Sequence, residues 1–236
     1  TVSGITPTLF FPSNQTFAAV STLTITNSQT TATPFPFQQM VNITSSDPGW
    51  AYISQDFGQN VEFFYANGTI IPSWLESYTS THAIWWVKIG SIPASSSIKI
   101  YMGFASTSTN VFNTVNVGEA PQLSPTYGEY DDGANVFNFY DNFAGTTINS
   151  EWTQVIPSGT TITQNNGITI STNSTSGYGG LILTNGFSGT QIFEGDVTAV
   201  GGVAAGLALQ TGNTDSNDSI DFNYWGGSVA TGTMSG

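Results

Sequence analysis

Few side chains in this 236-residue chain can do covalent chemistry: one His, two Lys, no Arg, no Cys, and fifteen Asp and Glu. His82 is the one available base for a nucleophilic triad, and its neighbours Ser80 and Thr81 are ordinary turn residues. Zinc requires three or four nitrogen or sulfur ligands, which this composition does not supply. Glycoside hydrolysis requires two carboxylates. The best pair is Glu194 and Asp196, two residues apart and so on one strand face, but Ala199 and Val200 follow where a third acid is expected. The run Asp215, Asn217, Asp218, Asp221 offers hard oxygens for calcium, yet lacks the Gly and distal Glu of a helix-loop-helix site. Lys88 and Lys99 are conceivable isopeptide partners for Asn; two solvated positions on one face of paired strands is the simpler reading. No catalytic residue, metal ligand or cofactor is assigned, and the chain is not expected to be an enzyme. Trp50, Trp85, Trp86 and Trp225 are the residues that would stack on sugar rings in a carbohydrate-binding alternative.

The net charge of -13 excludes the basic clusters that nucleic acid or an anionic membrane surface requires. Charged residues make up 7% against a usual ~25%, and Ser, Thr, Asn and Gly take their place. A fold with few ion pairs loses little when carboxylates are protonated, so an acidic exterior is the expected setting. No run of 18 apolar residues exists, so no membrane span is expected. The sequence opens at Thr1 without Met, as a processed secretory product would, and an extracellular, cell-surface location is expected.

The elements that must position any function are strands. In the stretch from Pro72 to Phe104, Ala83, Trp85, Val87 and Ile89 alternate with Ile84, Trp86 and Lys88. Ile98, Ile100, Met102 and Phe104 alternate in the same way with Lys99, Tyr101 and Gly103. Gly90–Ser97 between them is loop-like, so the pair reads as a scaffold hairpin. Asn67-Gly68 and Asn166-Gly167 mark further hairpin turns. Helical periodicity is absent, and 106–126 reads as an inter-domain connection. The expectation is an all-β chain of two antiparallel β-sandwich (jelly-roll or Ig-like) domains, 18–125 and 126–236, preceded by an extended tail, 1–17.

In that tail Ile5, Pro7, Leu9 and Phe11 share one face of an extended segment, and Pro7 and Pro12 forbid a helix. It is a disordered terminus or an ordinary first strand, or else a strand given to another molecule. Its apolar anchors alone do not offset the entropy of ordering it, so a donated strand must be bonded along both backbone edges. Asn14, Asn42, Asn67, Asn173 and Asn217 lie in Asn-x-Ser/Thr sequons and are candidate sites for N-linked glycans.

The sequences NVEFFYANGTIIPSWLES and IWWVKIGSIPASSSIKIYMGF resemble a surface module of uncharacterised function found in archaeal and bacterial envelope proteins. Trp74, Glu76, Lys88, Pro93 and Tyr101 carry the likeness. The segment NFYDNFAGTTINSEW from Asn138 is similar to the opening of a concanavalin-A-like jelly roll, a domain that normally continues for several strands beyond Gly236. A free first strand and a short last sandwich, possessed by one low-charge, cysteine-free chain, resemble the donor-strand-linked thread filaments of thermoacidophilic archaea. The resemblance implies a homopolymer assembled head to tail for adhesion or biofilm, with the first strand of one subunit completing the last domain of the next. A monomeric carbohydrate-binding module is the alternative.

Overall fold

The computed structural model describes residues 2–6, 15–53, 58–172, 179–187, 195, 205–210, 219–225 and 228–231. They form two compact units, Thr1–Ala144 and Gly145–Gly236. The chain is all-β apart from one single-turn α-helix and one 3₁₀ turn among the described residues.

The first unit is a sandwich of two sheets built from β1 (Val2–Thr6), β2 (Ala19–Asn27), β3 (Phe37–Thr44), β4 (Val61–Phe64), β5 (Ser73–Tyr78), β6 (His82–Ile89), β7 (Ser96–Phe104) and β8 (Val117–Glu119). One sheet has the order β1-β2-β7-β4, the other β3-β6-β5-β8; β5 and β8 run parallel, and all other neighbours are antiparallel. The period-2 residues fill the space between them. Ala83, Trp85, Val87 and Ile89 from one sheet face Ile100, Met102 and Phe104 from the other, all buried. Phe63 and Trp85 meet edge to face at 6.0 Å. Each such fully buried side chain contributes roughly 1.5–3 kcal/mol.

The strands β6 and β7 are not a hairpin, because they lie in different sheets. The Gly90–Ser95 segment arches from one to the other. It is held there by the buried Asn27 side chain, whose Nδ2 donates to the carbonyls of Ile92 and Pro93 at 3.1 Å each. Lys88 and Lys99 therefore sit on separate sheets rather than on paired strands.

Residues 106–126 are not a linker either. Val111, Phe112, Val117 and Ala120 are buried, and β8 joins the second sheet. The strap that follows, through helix α1 (Gly133–Val136) to Ala144, also packs on the first unit, so the boundary falls at 144/145 and later than the 125/126 read from composition. The segment Asn138–Ala144, similar in sequence to a jelly-roll opening, belongs to the first unit.

At the other end of the unit, Phe17 is 1% exposed and stacks on Phe64 (5.2 Å), which stacks on Tyr101 (5.7 Å). The packed body thus already includes Phe17, the last residue of the expected tail. The Phe17 ring lies flat on the backbone of Gly103; a Cβ there would come 2.6 Å from Phe17 Cε1. Gly103→Ala should therefore destabilise the unit by about 1–3 kcal/mol in a denaturant titration; an unchanged midpoint would contradict this packing.

The second unit contains β9 (Trp152–Val155), β10 (Thr160–Gln164), β11 (Ile168–Thr172), β12 (Gly180–Leu183), β13 (Ala205–Gln210), β14 (Ser219–Trp225) and β15 (Ser228–Thr231). These pair antiparallel as β9 with β12, β10 with β11, and β13-β14-β15. The β10–β11 hairpin turns at Asn166 (φ 52°) and Gly167 (φ 123°), as its Asn-Gly sequence predicts.

Candidate strand-exchange site

The strand β2 has nine residues and pairs along its whole length with β7, from Ala19 opposite Phe104 to Asn27 opposite Ser96. Its other edge is used only in part. There β1 pairs with Val20 to Leu23, with Val2 opposite Leu23 and Thr6 opposite Val20, and the register shifts between Ser3 and Ile5. From Thr24 to Asn27 that edge has no strand partner among the described residues. On the same side, β3 ends the second sheet. It contains no charged residue and no Pro, which are the devices that ordinarily discourage pairing along an edge.

Between these two edges opens a pocket of about 470 Å³, lined by Ile25, Asn27, Thr33, Phe37, Gln39 and Ile92 among others. Its rim is a set of crossed hydrogen bonds. Asn27 Nδ2 donates to the Thr31 carbonyl (2.8 Å) as well as to Ile92 and Pro93, while Asn27 Oδ1 accepts from Gln29 N (3.0 Å). Thr33 N donates to the Ile92 carbonyl (3.0 Å), and Ile92 N donates to Thr33 Oγ1 (2.8 Å). A buried amide with its donors and acceptor engaged is costly to rearrange, so the mouth is preformed. Beside it Phe35 stands 82% exposed. Of the residues assigned to a donor strand, Ile5 lies in β1 opposite Ser21. Pro7, Leu9 and Phe11 lie outside the described residues.

The residues that carry the family likeness have structural roles in the first unit. Trp74 on β5 stands directly opposite Trp86 on β6, and a bulge between Leu75 and Ser77 leaves Glu76 out of the pairing. Trp86 Nε1 donates to Glu76 Oε2 (2.6 Å), and Lys88 Nζ donates to the Asn135 carbonyl (2.7 Å). Trp74 Nε1 donates to Asp131 Oδ1 (3.0 Å), where Tyr140 OH (2.9 Å) and Gly133 N (3.0 Å) also donate; Asn142 Nδ2 reaches Oδ2 (2.6 Å). Phe137 meets both Trp74 (5.3 Å) and Trp86 (5.9 Å) edge-on. The motif therefore clamps the 126–143 strap onto the outside of the sheet. Pro93 supplies one of the carbonyls that hold the 90–95 arch.

Sequence reasoning missed the acids of this clamp, since no local pattern marks them. Asp132 is 2% exposed, and neither carboxylate oxygen meets a partner from another residue. Burial, and then the charge of Asp131, push its pKa up to about 8. Burial likewise raises Glu119, opposed by the 2.6 Å bond from Ser124 Oγ and reinforced by Glu129. Burial and Asp131 hold the Tyr140 phenol above its ordinary value.

The other candidates scatter. Trp85 (1% exposed) and Trp86 (6%) are buried and cannot stack on a sugar, whereas Trp50 is half-buried against Tyr78 at 5.8 Å. Trp225 ends β14. His82 Nδ1 lies 2.9 Å from Thr79 Oγ1 in the β5–β6 turn. Asn42 is exposed on β3, and Asn67 is exposed in its turn, with Oδ1 accepting from Thr69 N (3.0 Å). Asn14, Asn173, Asn217, Glu194, Asp196, Asp215 and Asp218 lie outside the described residues; Asp221 is on β14. Among the described residues, no group of three His, Cys, Asp or Glu could hold a metal ion, and no helix is long and apolar enough to cross a membrane.

A family model described as a domain of unknown function (DUF2341) matches residues 57–120, the stretch that carries the motif residues. The chain is also similar to "Uncharacterized protein 562" of Sulfolobus islandicus rod-shaped virus 1, with 40% identity over 126 residues, 51% of this chain and 21% of that protein. It thus spans about a fifth of the length of this curated relative. No solved structure matches.

The Asp132 geometry fixes the sign of a pH dependence. With its pKa raised from 3.8 to about 8, the folded form keeps a proton that the unfolded chain releases. Its contribution to stability is full below about pH 4 and is lost as pH rises toward about 8. Asp132→Asn should therefore flatten the fall in melting temperature between these pH values. A variant that declines as steeply as the parent would contradict the assignment.

Proposed function

We propose that this chain is a secreted structural subunit that polymerises head to tail by donor-strand complementation into a cell-surface filament serving adhesion and biofilm formation. The observation that carries the reading is the state of β2. Its N-terminal neighbour β1 covers only Val20 to Leu23, through an irregular register, and stops short of the Thr24–Asn27 edge. A short, bulged edge strand is the element most easily exchanged between copies.

Other features support the same reading. Segment 1–17 carries no charged side chain, so it can approach a second copy of net charge -13 without repulsion. Asp132 adds a contribution to the first unit's stability that grows as pH falls, in keeping with an acidic exterior. Asn42 and Asn67 are exposed and open to N-linked glycans. The carbohydrate-binding alternative retains the Trp50–Tyr78 pair but loses Trp85 and Trp86 to the interior.

Removal of residues 1–14, which spares the core residue Phe17, tests the proposal. The full chain should form filaments visible by negative-stain microscopy. The truncated chain should stay a folded monomer. Assembly of the truncated chain would rule out strand donation, and glycan-array binding by a full chain that never assembles would favour the binding module.

A further inference from the structure

We infer that the seam between β2 and β3 of the first unit is the acceptor of the assembly, and that its occupant is the N-terminal segment of a second copy of this chain. This rests on the strand-donation reading and adds where the strand goes. The short C-terminal unit, expected from the sequence to accept it, is replaced by the first unit.

The backbone argues first. The two sheets end on this side in β3, which has no strand partner on its outer edge among the described residues, and in β2, which has none from Thr24 to Asn27. On β3 the Met40 carbonyl accepts from Gln39 Nε2 (2.7 Å) and Thr44 N donates to Asp47 Oδ2 (2.8 Å), so an incoming strand exchanges these local bonds and pairs with the rest of the edge. Bonding along two edges is the condition that stable insertion requires and single-edge addition does not meet.

Side chains argue second. Ile25, Phe37 and Ile92 give the pocket an apolar lining, and its roughly 470 Å³ accommodates large apolar side chains. The tail offers Ile5, Leu9, Phe10 and Phe11. Phe35 at 82% exposure extends apolar surface just before the start of β3, where a covering strand would bury it.

Continuity identifies the occupant. None of the residues lining the pocket carries a charge, and no side chain of 1–17 does, so the two are compatible; other stretches such as 152–193 are uncharged too. What sets the N-terminal segment apart is that β1 already pairs with this edge of β2 within its own chain, so the acceptor continues an existing pairing. In a free subunit β1 occupies the end of the slot; in the assembly it leaves, and the incoming segment takes the longer edge.

The test places the photo-crosslinking residue p-benzoylphenylalanine at position 39, a half-exposed site on the pocket lining, in the full chain. Heavy- and light-isotope subunits are mixed, allowed to assemble, irradiated and digested. The expected product joins position 39 of one copy to a residue within 1–14 of another. Filaments that form, and that depend on residues 1–14, but whose crosslinks fall within 145–236 or only inside one chain would overturn the acceptor while leaving strand donation intact. If the full chain yields no filaments under any condition, strand donation itself fails and the acceptor fails with it. If substitution at 39 prevents assembly, the same probe at Thr26, an exposed position on the β2 edge, distinguishes the same outcomes.

Discussion

Backbone donors and acceptors along a sheet edge must be satisfied by another strand or by water, and the first unit leaves one edge half filled. Everything about its N-terminal side follows from that. The strand β2 is anchored on β7 over its full length, so its position does not depend on β1. The preformed pocket mouth depends on Asn27 at the last position of β2, which ties the strand end to the 90–95 arch. Loss of β1 would therefore open an edge without dissolving the sandwich beneath it. A sheet that holds together while its outermost strand is exchanged is what a strand-linked polymer needs from each subunit.

The outer face of the β5–β6 sheet, by contrast, is closed. Trp74, Glu76, Trp86 and Lys88 use the outward face of β5 and β6 to hold the strap, and Asp131 gathers four donors at its centre. The residues by which the module is recognised thus serve its integrity. The same clamp buries a carboxyl group that favours the protonated state. In a chain with two Lys and fifteen acids, this one carboxyl adds a stabilising contribution that grows as pH falls.

Strand positions were legible in the sequence because alternation reports a buried face directly: Ala83, Trp85, Val87 and Ile89 are inside as their spacing predicts. Alternation does not report which sheet a strand joins. The loop after Ile89 is compatible with either a hairpin or an arch, and the choice is made by Asn27, 65 residues away from Ile92. Polar composition likewise hid the 106–144 segment, since Val111, Phe112 and Val136 are isolated apolar residues buried by distant partners. Trp74 stood out only through the family likeness, and its role was invisible because Asp131 lies 57 residues downstream. For the candidate site, the apolar spacing of the tail was readable; the half-used edge of β2 and the pocket beside it exist only once both sheets are folded.

The central claim is that β1 is exchangeable, and a reversible lock tests it most directly. Ser3 and Thr22 are direct partners in the β1–β2 ladder. Antiparallel partners place their Cα atoms about 4.5–5.5 Å apart, within the span a disulfide bridges. The chain has no other cysteine, so the double variant Ser3→Cys with Thr22→Cys can be oxidised cleanly as a monomer and followed by light scattering and microscopy. The account predicts no filaments while the disulfide is closed and normal filaments once it is reduced. Equal assembly in the oxidised and reduced states would contradict it.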